Sequence, residues 1–203
     1  MDLSLPHETI NISALLPKVQ AAIEGIDQNL AAEYLMDAAI EFAKASHVMR
    51  KTLCIDVIPC VTSYSLDMDP YRKFEVRKVV HDLGTCQSNN DMSGKIYVEG
   101  NTLYLEEEPQ QQHAGSTVTI EFIVTPKRSS DVIPMDLYED WEPAIINMAL
   151  SNLYLMSGTT WGNKGLSDRT RQLYSEYVSR AKFINTTKHK PVSLRLGPKR
   201  RPR

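Results

Sequence analysis

The hydrophobic period of this chain changes twice, and that double change restricts its fold more than any other feature. Between about residues 50 and 126 apolar side chains tend to recur at every second position, whereas on either side they recur every three or four. A period of two describes a strand with one face turned inward, and a period near 3.6 describes a helix with one apolar stripe. The chain therefore reads as helix, then sheet, then helix. Each terminal stripe needs a partner, and the most economical partner is the other stripe. The expected fold class is α+β: an antiparallel helical bundle with an inserted antiparallel β-domain and an extended basic C-terminal arm. Residues 1–49 and 129–184 would form the two parts of the bundle, 50–128 the β-domain and 185–203 the arm.

Local signals fill in this outline. Pro17 suits a first helical position, and the short run from Lys18 to Glu24 stops at Gly25. Asp27 reads as the N-cap of a longer helix reaching about Ser46. Within it Leu30, Tyr34, Leu35, Ala38, Phe42 and Ala45 share one face. Leu53, Ile55 and Val57 alternate, and Val79 falls out of step with Phe74 and Val76, which marks a bulge. Two alternating runs, Lys95 to Glu99 and Thr102 to Glu106, flank Gly100-Asn101 and predict a hairpin. Thr117 to Val124 is the clearest strand. Helix returns after Pro134 and runs from Glu139 to Met156, with Pro143 tolerated near its first turn. Ser167-Asp168 is the expected start of the last helix, which carries Leu173, Tyr174, Tyr177, Val178, Ala181 and Ile184 on one side.

Charge enters because it is unevenly distributed. Residues 188–203 hold seven cations and no carboxylate, so in a chain of net charge -2 residues 1–187 carry -9. An acidic body with a basic tail is the pattern. Val192, Leu194 and Leu196 alternate with Ser193 and Arg195 just ahead of the cations, so the tail reads as an arm that orders against another protein. A tail made only to grip phosphates has no use for an apolar stripe. No aromatic residue lies among the cations to stack on bases.

The search for chemistry yields no site: catalytic residues none, cofactor none, metal none. His7, His47, His81, His113 and His189 are scattered, with no metal-ligand spacing. Glycine-rich phosphate loops and nucleophile elbows are missing. Ser179 and Lys182 match SxxK in form, yet fit a solvated helix better. Asp67-Met68-Asp69 reads as a turn, Glu106-Glu107-Glu108 as a charge run, and Cys54 as a buried small hydrophobe. Cys54, Cys60 and Cys86 form no CxxC pair, as expected in a reducing compartment. No apolar stretch is long enough for a membrane, so no membrane partner is expected.

Several segments taken in order resemble a known family. They are Leu15-Leu16-Pro17-Lys18-Val19, Gly25, Ala38-Ala39-Ile40-Glu41-Phe42-Ala43-Lys44-Ala45-Ser46, and Ile133-Pro134 with Leu137 and Tyr138. They continue through Ala144-Ile145-Ile146-Asn147-Met148-Ala149-Leu150-Ser151-Asn152-Leu153, Trp161-Gly162-Asn163, Tyr174 and Ala181-Lys182. The set is similar to the head-to-tail adaptor proteins of tailed bacteriophages, also termed connector or head-completion proteins, over about residues 12–184. This chain departs from them at Val48-Met49, where an aromatic often stands, and at Gly162 and Lys164. The resemblance implies a structural virion protein and no enzyme. It implies a homo-oligomeric ring, typically of twelve copies, between the portal protein at the capsid vertex and tail nozzle or tail tube proteins. Genomic DNA would pass through the lumen without specific binding. Such a protein is assembled in the host cytoplasm and resides at the head-tail interface of the virion. The arm residues Val192, Leu194, Arg195, Leu196, Lys199, Arg200, Arg201 and Arg203 would meet the portal. Trp161 would close the end of the bundle or meet a neighbouring subunit.

Two other readings compete. A small nucleic-acid-binding protein would use the basic tail, but it would also want a basic stripe on its body, which a charge of -9 opposes. A cell-wall hydrolase would need two carboxylates held across a cleft, and no spacing singles out such a pair.

Overall fold

The computed structural model describes residues 8–66, 71–82, 96–106, 109 and 117–188. The chain is mixed helix and antiparallel sheet, the α+β class that its periods predict. It begins with strand β1 (Thr9–Asn11), a 3-10 turn (Ile12–Leu15), helix α1 (Leu16–Ala22) and helix α2 (Gln28–Ser46). Strands β2 (Arg50–Asp56), β3 (Ser63–Ser65), β4 (Tyr71–Asp82), β5 (Ile96–Glu99), β6 (Thr102–Leu105) and β7 (Thr117–Pro126) follow. Strand β8 (Val132–Pro134) leads into helices α3 (Met135–Tyr154) and α4 (Lys164–Lys188).

Caps and turns explain several boundaries. The Asp27 carboxylate accepts the Leu30 amide at 2.9 Å and so starts α2 where the sequence places it. His47 stops that helix in a left-handed conformation, φ 56°, and donates its amide to the Ala43 carbonyl. Gly100, at φ +56°, makes the tight turn that pairs Glu99 with Thr102.

Among the described residues the strands form three antiparallel sheets, in the orders β2-β7-β4, β3-β6-β5 and β1-β8. β4 shifts register against β7 between Lys73 and Glu75 and again between Val76 and Lys78, and only the second shift falls where the period slips in the sequence. The β1-β8 pair has no local signal. Its three residue pairs, such as Ile10 with Ile133, bring the start of the chain to the start of α3.

Among the described residues two hydrophobic clusters result. Leu15, Val19, Leu35, Phe42, Ile145 and Leu153 belong to the first, which draws on all four helices. Phe42 is fully buried in it, 5.3 Å from the Trp141 ring and 6.3 Å, edge-on, from Tyr174. Val118, Ile120, Phe122 and Val124 of β7 line the second together with Leu103 and Leu105. Burying a side chain such as Phe42 or Phe122 contributes roughly 1.5–3 kcal/mol by area. Met49, between α2 and β2, packs against both clusters.

Four expectations are corrected. Cys54 is exposed, because the alternation of β2 turns it outward between the half-buried Leu53 and Ile55. α4 opens at Lys164, with Asn163 accepting the Leu166 amide at 3.1 Å, and Ser167 is buried inside it. Pro143 stands well inside α3, which begins at Met135, and the helix continues through it because its neighbours Ala144 and Ile145 are held in the core. α4 also runs past residue 184 to Lys188, since Asn185 is bonded to the rest of the protein.

Candidate functional site

The end of α2, the start of β2, the middle of β7, the first turns of α3 and the last turns of α4 converge on one place. Its anchor is a chain of polar contacts. Asn185 of α4 donates its amide nitrogen to the His47 carbonyl at 2.7 Å, and its amide oxygen accepts from the Arg50 guanidinium. Arg50 also donates to Glu121 of β7 at 3.1 Å, a pair largely shielded from water. These contacts tie both helical ends of the sequence to the central strand of a sheet. Beside them the Val124 amide donates to the Met49 carbonyl at 3.1 Å.

Next to this anchor lies a cavity of about 650 Å³, within the range of ligand pockets. Val48, Met49, Val124, Leu137 and Ile184 give it apolar walls, and Tyr71, Trp141 and Tyr177 add aromatic surface. Its charged lining residues are Arg50, Asp136, Asp140 and Arg180. Burial holds the Tyr71 phenol above its ordinary pKa, and the negative charge of Asp136 adds to the shift. Tyr71 therefore stays neutral and acts as a polar, uncharged wall. The lining contains no histidine or cysteine, and among the described residues no group of three or more metal-ligating side chains converges.

Trp161 occupies the loop between α3 and α4, half-buried against the helical cluster. Its indole nitrogen is buried without a hydrogen-bond partner among the described residues. Gly162 beside it has no room for a side chain: a Cβ there would stand 2.7 Å from the Met156 carbonyl oxygen. The loop closes through the Asn163 amide, which donates to the Tyr154 carbonyl at 2.9 Å. The Trp161 ring thus packs where the two helices turn.

The arm residues Val192, Leu194, Arg195, Leu196, Lys199, Arg200, Arg201 and Arg203 lie outside the described residues, as do Cys86 and the Asp67-Met68-Asp69 segment. Ser179 is exposed and donates to the Ser175 carbonyl at 2.9 Å, within its own helix. Glu106, at the end of the hairpin, is exposed. The cavity was not apparent from the sequence. Its parts come from residues 48–50, 71, 124, 134–141 and 177–185, and only the carboxylates Asp136 and Asp140, one helical turn apart, carry a local hint. No model of a known protein family matches the chain, and no curated protein matches it.

Proposed function

We propose that the protein is a ring adaptor between the portal and the tail of a bacteriophage virion, extending the DNA channel. What supports this reading is the placement of one strand-rich segment between helices that share a single hydrophobic cluster. That order is what the resemblance implies, with residues 50–128 as an insertion in an antiparallel helical bundle. The role is structural rather than enzymatic. Twelve copies form the ring, and Trp161 closes the end of each bundle or meets the neighbouring copy. The acidic body, -9 over residues 1–187, suits a conduit along which DNA slides without adhering. Among the described residues no helix is long and apolar enough to cross a membrane.

In this reading residues 189–203 form the arm that binds the portal. Val192, Leu194 and Leu196 supply apolar contacts, and Arg195, Lys199, Arg200, Arg201 and Arg203 meet carboxylates. A preformed surface offsets the ordering entropy of the arm, and repetition around a ring turns weak contacts into firm attachment. The deciding experiment removes residues 189–203 and follows portal binding by pull-down and ring formation by electron microscopy. Circular dichroism serves as the control for folding. Loss of portal binding with an unchanged spectrum is the expected result. Normal portal binding together with lost DNA affinity would favour the nucleic-acid reading instead.

A further inference from the structure

The cavity and the chain that leaves it fit each other chemically. Asp136 and Asp140 lie on one wall, and among the described residues neither takes part in an ion pair. Tyr71, Trp141 and Tyr177 present ring surface in the same space. Carboxylates and aromatic faces both attract cationic side chains, while aliphatic walls accept apolar ones. Of the two cations among the described lining residues, Arg50 is matched by Glu121, which leaves Arg180 against two carboxylates. The surface therefore favours an extended segment that mixes apolar and cationic residues.

Such a segment begins at the rim. Ile184 and Asn185 of α4 line the cavity, and α4 ends at Lys188, within one turn of them. Beyond it Val192, Leu194 and Leu196 alternate with Ser193 and Arg195, followed by Lys199, Arg200, Arg201 and Arg203. Eight residues reach up to ~27 Å when extended, so Leu196 can return from Lys188 to the rim formed by Ile184 and Asn185.

We infer that the cavity is the resting seat of the chain's own residues 189–203. Val192, Leu194 and Leu196 cover the apolar walls, and Arg195 meets Asp136 and Asp140. Covalent tethering supplies an effective concentration in the millimolar range, so a few weak contacts suffice and a partner surface can still displace the segment. Seating and docking then compete, and the arm is withheld until its partner is present. The inference does not depend on the identity of that partner.

The test uses the full-length protein with photoreactive p-benzoylphenylalanine in place of Leu194. Irradiation is expected to link position 194 to peptides covering 48–50, 134–141 or 177–185 of the same chain. A mixture of light and isotope-labelled chains distinguishes links within a chain from links between chains. Asp136→Asn combined with Asp140→Asn should lower the yield about three-fold or more, the scale of an exposed ion pair. Arg195→Glu should lower it in the same direction while leaving α3 untouched. Links elsewhere, links between chains, or yields indifferent to both sets of substitutions would overturn the assignment. A failed portal pull-down bears only on the adaptor reading.

Discussion

Tyr174 shows how one buried group can govern the response of the protein to alkali. Its ring packs edge-on to Phe42, and its hydroxyl is buried with no hydrogen-bond partner among the described residues. Burial, and then the charge of Glu41, hold its pKa well above the ordinary tyrosine value, with Arg171 opposing. The folded chain thus keeps a proton that the unfolded chain releases above pH ~10. Below that pH the contribution to stability is constant, and it is lost as pH rises further. Tyr174→Phe should leave the neutral-pH melting temperature unchanged or slightly higher, because no bond is broken and a desolvated hydroxyl is removed. Melting curves between pH 7 and pH 11 should also show a shallower alkaline decline in the variant. A clear loss of stability at pH 7 would contradict this account.

At the scale of elements, α3 and α4 are fastened by a pair of serines. Ser167 donates its hydroxyl to the Ser151 carbonyl at 2.8 Å, and Ser151 donates to the Ser167 carbonyl at 3.2 Å. Both residues are buried, so these bonds form where water cannot replace them. Either serine changed to alanine should cost about 1–2 kcal/mol. Because the two share one network, the double variant should lose at least ~0.5 kcal/mol less than the sum. Urea denaturation of the four proteins measures this directly, and strict additivity would show the bonds to be independent. The hairpin β5-β6 behaves differently. Its register follows from Gly100-Asn101 and two alternating runs, so its sequence carries its structure locally.

Across the whole molecule, two hydrophobic clusters meet along a seam held by Met49, by Arg50 with Glu121, and by Asn185 with His47. The seam joins residues separated by 71 and 138 positions in the chain. Asn185→Ala removes the donor to the His47 carbonyl and the acceptor for Arg50, and should destabilise the protein by about 1–3 kcal/mol. A lower urea midpoint is the expected observation. A change of less than ~0.5 kcal/mol, the ordinary range for surface substitutions, would mean that the seam does not depend on this residue.

Local chemistry was legible in the sequence. Side-chain period marks which residues of α2, α3 and β7 face inward, and Asp27 announces its cap, because these effects act over a few neighbouring residues. The α+β class follows from the same periods. The exposed face of Cys54, the burial of Ser167, the passage of α3 through Pro143 and the β1-β8 pair depended on which elements packed together. So did the cavity, whose walls come from five separate stretches of chain. Contacts such as Asn185 with His47 form only after long loops have closed, at an entropic cost met by both clusters together rather than by any local signal. For that reason the sequence alone indicated the elements and their inward faces, and the tertiary structure alone decided where they meet.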